Sequence, residues 1–292
     1  MRLACIDIGT NTTRLLVAEP DGRALREVYG AREFTDLGHV RRRGQIGPEA
    51  IARVVSATVA HVQAARTAGA TRIDVVATAG VRAAEDRAAL CEAVTAASGL
   101  PVRMLSGEEE AHLAFAGATC GLAADGHEPV GVIDIGGGSS ELVVGSCAGG
   151  VDWVVSLAIG SAVLTGDCLS GDPPTPAELE AAARSADEAF AGVCPPPVSA
   201  AYAVGGSATS LYRLVGEVLD LEAMAAVRAR VTSAGSGELA PVLGLEPRRV
   251  RLMPAGILLL ERAVRVLGVP ARIAPGGIRE GVILARLRES PT

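Results

Sequence analysis

A duplicated α/β fold of two lobes is predicted by three observations: a hairpin written twice, an alternation of strands with helices, and room for two cores. Ile6-Asp7-Ile8-Gly9-Thr10-Asn11-Thr12-Thr13-Arg14-Leu15-Leu16-Val17 returns as Ile133-Asp134-Ile135-Gly136-Gly137-Gly138-Ser139-Ser140-Glu141-Leu142-Val143-Val144. Each copy reads as a strand, a tight turn of small residues and a second strand. Asp7 recurs as Asp134, an offset too long for a solenoid period and suited to paired lobes. At 292 residues, each lobe is large enough to bury its own core.

The elements follow in order. Residues 2 to 31 read as three antiparallel strands, with turns near Thr10-Asn11 and Asp21-Gly22, followed by a Gly- and Arg-rich loop over 34 to 47. Pro48 opens a helix that runs to about Gly69. Arg72 to Thr78 is a buried strand, 85 to 98 a helix and Pro101 to Leu105 another strand. Ser106 caps the next helix, with Glu109 at the third helical position completing a capping box. This order predicts a mixed sheet.

Cys120 to Pro129 reads as the hinge, giving lobes of 1–123 and 124–292, with the last helix free to pack back on the first lobe. Strands are expected near 130 to 135, 140 to 145 and 150 to 157. Thr175-Pro176-Ala177-Glu178 starts a helix reaching about Ala191. Ser199 to Val204 is a strand ending in Gly205-Gly206-Ser207, a glycine loop that leads into a helix. Residues 251 to 267 form another helix, Ala271 to Ala274 a final strand, and Gly276 to Gly281 opens the last helix.

Composition narrows the function. No apolar stretch approaches the roughly 20 residues of a membrane span, and Met1 leads straight into the first strand, so a cytoplasmic protein is expected. Aromatic residues are 2% of the chain and net charge is −6, which argues against a nucleic-acid partner. Arg41-Arg42-Arg43 and Arg248-Arg249-Arg251 remain as local clusters that either attract a small polyanion or form solvated faces. The six cysteines lack any C-x-x-C pair, so buried thiols are expected rather than disulfides or zinc. The chain contains no lysine, which removes a Walker-type phosphate loop. Asn11 is the sole asparagine and sits in the first hairpin turn, where either its amide has a task or it serves as a turn residue.

The two hairpin turns are the strongest chemical signal. Glycine lets a backbone approach phosphate closely, and successive N–H groups make an anion nest. Gly9, Thr10, Asn11 and Thr12 in one turn, and Gly136, Gly137, Gly138, Ser139 and Ser140 in the other, are candidate phosphate ligands. Gly206 and Ser207 are candidates for a further contact at a helix start. Asp7, Asp134 and Glu141 offer hard oxygens suited to Mg²⁺, or Mn²⁺, beside a phosphate. Hydrolysis also requires a base for water, and Glu108, Glu109 and Glu110 are equal candidates by spacing. All three also suit a helix N-terminus as plain dipole partners.

These blocks, with Ala77-Thr78-Ala79-Gly80-Val81-Arg82, Leu105-Ser106-Gly107-Glu108-Glu109-Glu110-Ala111 and Gly277-Ile278-Arg279-Glu280-Gly281, resemble the ordered motifs of the exopolyphosphatase/guanosine pentaphosphate phosphohydrolase (Ppx/GppA) family, in its short two-domain form. The resemblance covers almost the whole chain. It implies the actin-like, ribonuclease H-like fold of the acetate and sugar kinase/actin superfamily, with an interdomain cleft, and a homodimer. It also implies Glu110 as catalytic base, Asp134 and Glu141 as metal and water ligands, and Arg82 as a phosphate clamp.

Three blocks depart from the family pattern. Thr78-Ala79-Gly80-Val81-Arg82-Ala83-Ala84 stands where Thr-Ser-Ala-x-Arg-Asp-Ala is usual, Asp36-Leu37-Gly38 replaces Arg-Leu-Gly, and Gly160 to Gly166 lacks the usual Arg and Glu. The expected activity is metal-dependent removal of the terminal phosphate from inorganic polyphosphate, with Glu110 and Glu141 catalytic. The rivals are a guanosine pentaphosphate 5′-phosphohydrolase, a kinase of the same superfamily, and a non-catalytic polyphosphate or nucleotide sensor.

Overall fold

The structure is a computed structural model that describes the chain apart from residues 39, 123–125 and 290–292 and the side chains of Arg41 and Arg42. It divides into two compact units, Met1–Ala124 with Gly276–Thr292, and Asp125–Pro275. The second lobe therefore ends at Pro275 rather than 292. The boundary expected at 123–124 and two arginines of the 41–43 cluster lie outside the described residues.

In the first unit, β1 (Leu3–Ile8), β2 (Thr12–Asp21) and β3 (Ala24–Phe34) form an antiparallel meander. The chain continues through α1 (Val40–Arg43), α2 (Pro48–Thr67), β4 (Arg72–Ala77), α3 (Ala79–Arg82), α4 (Arg87–Ser98), β5 (Val102–Met104) and α5 (Gly107–Ala118). The single turns α1 and α3 lie where only loop was expected. The sheet order is β3-β2-β1-β4-β5, with β4 and β5 parallel to the central β1.

A central strand is covered on both faces, which explains why β1 is apolar at nearly every position. Ala4, Ile6 and Ile8 pack into one core with Val54, Leu90 and Val94. Leu3 and Cys5 face the other way, toward Leu105, Leu113, Val282 and Ile283. Side chains alternate along a strand, so Asp7 projects to that second face.

The second unit repeats the plan. Its elements are β6 (Val130–Ile135), β7 (Ser140–Ser146), β8 (Gly150–Leu157), α6 (Ser161–Cys168), α7 (Pro176–Ala189), β9 (Ala200–Val204), α8 (Gly205–Val215), β10 (Val218–Leu219), α9 (Leu221–Val231), α10 (Ser236–Leu243), α11 (Pro247–Leu267) and β11 (Ala271–Ile273). The sheet order β10-β11-β9-β6-β7-β8 reproduces that of the first unit, with β10 added at one edge. The expected α/β duplication is thus present in the strand order itself. The helix α6 and the strand β10 were not expected, and Gly205 to Ser207 form the first turn of α8 rather than a loop before it. α11 begins at Pro247, a turn earlier than its apolar run suggested. Within α11, Arg248 is exposed, Arg249 is buried and Arg251 donates to the Leu169 carbonyl, so these three do not form one basic surface.

The last helix, α12 (Ile278–Glu289), packs on α5 and β1 in the first unit. Two glycines allow the approach: a Cβ on Gly117 would run into the backbone of Gly277, and one on Gly281 into the backbone of Leu113. No described helix is long and apolar enough to cross a membrane.

Local chemistry ends and starts the helices as expected. Ser106 and Glu109 form a capping box at α5, and Thr175 and Glu178 form one at α7, where Pro176 occupies the first helical position. Glu178 also gathers the loop before its helix, accepting from Ser170 Oγ at 2.5 Å and from the Ser170 and Gly171 amides at 2.8 and 2.9 Å. Those bonds, the Ser170 hydroxyl first, hold its carboxyl well below the usual range. A depressed folded pKa contributes stability above the unfolded value of about 4.3, and that contribution fades as pH falls toward the folded value. Glu178→Gln should therefore lower the thermal midpoint at pH 7, with the gap from the parent narrowing below about pH 4. Melts across that range check it, and a gap that stays constant with pH rejects it.

Candidate active site

Each hairpin turn is closed by the same bond: Gly9 N–H donates to the Thr12 carbonyl, and Gly136 N–H to the Ser139 carbonyl, both at 3.0 Å. The carbonyls at the tips are then taken by neighbouring segments. Thr35 and Asp36 amides donate to Asn11 O at 3.0 and 3.1 Å, and the Leu37 amide to Thr10 O at 2.6 Å. In the second unit the first amides of α6 do this work. Ser161 N–H reaches Gly136 O at 2.9 Å, and Ala162 and Val163 N–H reach Gly137 O at 3.0 and 3.1 Å.

The amides of Thr10, Asn11, Gly137 and Gly138 are donated to no protein acceptor among the described residues. Both tips therefore present undonated amides while the Thr10, Asn11, Gly136 and Gly137 carbonyls are already bonded, which is the electrostatic character of an anion nest. The packing leaves little freedom. A Cβ on Gly80 would lie 2.6 Å from Thr10 Oγ1, and one on Gly160 would lie 2.6 Å from the Gly138 nitrogen.

The side chains of the predicted phosphate ligands have varied tasks. Thr10, Thr12, Ser139 and Ser140 are buried. The Ser140 hydroxyl donates to Ile159 O at 2.5 Å, committing its proton to the segment before α6. Thr12 Oγ1 accepts from Arg14 Nε at 3.2 Å. Ser207 packs over Gly256 of α11, where an added Cβ would meet its hydroxyl at 2.7 Å, and the Gly206 carbonyl accepts from Ser210 Oγ at 2.7 Å.

Among the three glutamates of α5, the structure separates the tasks. Glu108 is exposed, Glu109 completes the capping box and pairs with Arg103, and Glu110 is buried at 3% exposure. Successive helical residues point about 100° apart, so one acid faces inward when its neighbour caps. Glu110 pairs with Arg82 Nη1, which also donates to Leu105 O at 2.6 Å. Arg82, expected as a phosphate clamp, is thus the partner that holds Glu110, while its side chain keeps 31% exposure.

The two aspartates sit in different surroundings. The register places Asp7 opposite Arg14 and Asp134 opposite Glu141. Burial pushes the Asp7 carboxyl up, partly offset by the guanidiniums of Arg279 and Arg14. Its Oδ1 is sealed from solvent with no hydrogen-bond partner among the described residues. Arg279 stands at the start of α12 and donates to Leu15 O at 3.2 Å, and Glu280 accepts from the Gly277 amide at 2.7 Å. Arg14 and Arg279 lie inside the hairpin and C-terminal glycine motifs, where sequence spacing alone does not mark them as neighbours of Asp7. Their approach to Asp7 depends on sheet register and on the return of α12.

In the second unit, two buried carboxylates, Asp134 and Glu141, lie directly across neighbouring strands on one face. Like charges in that position repel, and a hard dication relieves the repulsion. Among the described residues no three His, Cys, Asp or Glu side chains form a metal cluster. Carboxylates in ones and twos match Mg²⁺, which retains several waters. The Asp134 and Glu141 pair of the second unit therefore fits that ion. Gly205, at φ +82°, presses on Asp134: a Cβ there would collide with Oδ1 and lie 3.3 Å from Ile135 O.

Comparison with known proteins agrees with this architecture. Exopolyphosphatase 2 of Mycobacterium tuberculosis is 31% identical over 309 residues, spanning 97% of this chain and 96% of that protein. Exopolyphosphatase 1 of the same organism is 27% identical, spanning 98% and 88%. The crystal structure of the Aquifex aeolicus Ppx/GppA family member aligns with a TM-score of 0.81 at 26% identity, covering 100% of this chain and 99% of that one. With hairpins, glutamates and strand order all in place, and with the Ppx/GppA phosphatase family model matching residues 31–290, the chain belongs to that family of phosphatases.

Proposed function

We propose that this protein is an exopolyphosphatase, releasing the terminal phosphate of inorganic polyphosphate by hydrolysis. The observation that carries the reading is the matched pair of hairpin tips, each closed by the same turn bond and each with two undonated amides. Such donors suit the repeated oxyanions of a phosphate chain. The exopolyphosphatase names of the Mycobacterium relatives support the same substrate class.

In this reading the first unit contributes Gly9, Thr10, Asn11 and Thr12 to phosphate binding and Glu110 to proton transfer. Glu110 takes a proton from water as the oxygen attacks the terminal phosphorus, and the bond to the bridging oxygen breaks in line. The products are inorganic phosphate and a chain one unit shorter. Arg82 fixes the carboxylate and keeps exposed donors for a phosphate oxygen. The second unit contributes the amides of Gly136 to Ser139. Asp134 and Glu141, with help from Asp7, would hold Mg²⁺, which when bound supplies positive charge to the terminal phosphoryl oxygens.

A phosphate-release assay with Mg²⁺, on polyphosphates of several lengths beside guanosine pentaphosphate and ATP, tests the proposal. The expected result is release from polyphosphate at the highest kcat/KM of the set. Higher kcat/KM on guanosine pentaphosphate would replace the substrate, and tight binding of polyphosphate without release would replace the activity with sensing.

A further inference from the structure

We infer that Ser156 is a positioning residue for Glu141, setting which carboxylate oxygen is offered for ion binding. This rests on the metal-binding reading of Glu141 given above. The sheet places Asp134 of β6, Glu141 of β7 and Ser156 of β8 in one register row, Asp134 opposite Glu141 and Glu141 opposite Ser156. All three side chains therefore project from the same face. Ser156 Oγ donates to Glu141 Oε1 at 2.8 Å.

The pairing is asymmetric in burial. Glu141 is 2% exposed, whereas Ser156 is exposed on the edge strand β8. The Ser156 hydroxyl reaches from that exposed edge to a buried anion. The terminal torsion of a glutamate is broad and nearly two-fold, so a donor on one oxygen narrows the orientations of the carboxylate. The serine engages Oε1 and so biases which face of the group is turned toward an ion. Groups that orient a metal ligand from behind typically change metal affinity or activity 10- to 100-fold when removed.

The first unit has no counterpart to this arrangement. The position matching Glu141 is Arg14, and the residue opposite Arg14 on β3 is Arg32. The acid, acid, hydroxyl row is therefore specific to the second hairpin. That is the hairpin whose strands carry the paired carboxylates.

The test is Ser156→Ala in the full chain, with Mn²⁺ binding followed by electron paramagnetic resonance and the Mg²⁺ dependence of phosphate release measured in parallel. The expected result is a roughly 10-fold weaker Mn²⁺ affinity and a matching rise in the half-maximal Mg²⁺ concentration. KM for polyphosphate at saturating Mg²⁺ should change less than about two-fold, because the serine does not bear on phosphate binding. Ser156→Thr, which keeps the hydroxyl and suits a strand, should restore both values. An unchanged Mn²⁺ affinity in Ser156→Ala overturns the inference, as does a loss of thermal stability that Thr fails to reverse. Glu141→Gln separates the two levels. Parental Mn²⁺ affinity in Glu141→Gln removes the metal-binding reading itself, whereas weakened binding there with normal binding in Ser156→Ala removes only the positioning role.

Discussion

Glu110→Gln is expected to lower turnover by about 10²- to 10⁴-fold, the range associated with loss of a positioned general base. The amide is nearly isosteric and retains an oxygen to accept from Arg82, so the side chain can keep its buried place beside that guanidinium. What it loses is the ability to take a proton. The neighbouring glutamates supply internal controls. Glu109→Gln keeps an acceptor for the capping box with Ser106 and loses the charge that pairs with exposed Arg103, so it should lower stability by less than about 1 kcal/mol and leave kcat alone. Glu108→Gln, on the exposed face, should alter neither. Steady-state phosphate release and thermal melts on the three variants decide the assignment. A parental rate in Glu110→Gln, or an equal loss in all three, rejects Glu110 as the base.

That separation of three adjacent acids shows what a linear reading reaches and where it stops. The capping box at Ser106 was legible because its partners lie three residues apart, and the same is true at Thr175. The twin hairpins were legible because their repeated composition reflects repeated backbone geometry, down to the matching 3.0 Å turn bonds. Choosing Glu110 over its neighbours required the family resemblance, since local spacing treats all three alike. Helix α6 was missed because it lacks a side-chain cap, and its first amides bond to the glycine turn of β6 and β7 instead. The single turn of α3 is too short to show a period. Arg82 stands out in the sequence as a candidate phosphate clamp, but its contact with Glu110 links residues 28 apart through two different elements. Rows across a sheet, such as Asp134, Glu141 and Ser156, depend on register between strands. No single-strand pattern contains them.

Gly205→Ala is expected to produce the second largest loss, through Asp134 rather than through phosphate binding by its own loop. Gly206 and Ser207 stand out in the sequence as candidate ligands, yet Gly205 carries the tighter constraint. Its φ of +82° disfavours any residue with a Cβ, and that Cβ would strike Asp134 Oδ1. The backbone term costs about 1–2 kcal/mol. The collision adds a displacement of Asp134 from its place opposite Glu141. Under the proposed metal role of Asp134, that shift should weaken metal affinity or activity by about 10- to 100-fold. Gly268→Ala isolates the backbone term, because Gly268 has φ +75° at the end of α11 and nothing within 4 Å of an added Cβ. Both variants should lose stability, while only Gly205→Ala should lose Mn²⁺ affinity and Mg²⁺-dependent phosphate release. If the two behave alike, the contact with Asp134 has no bearing on the site, and Gly205 serves only the turn from β9 into α8.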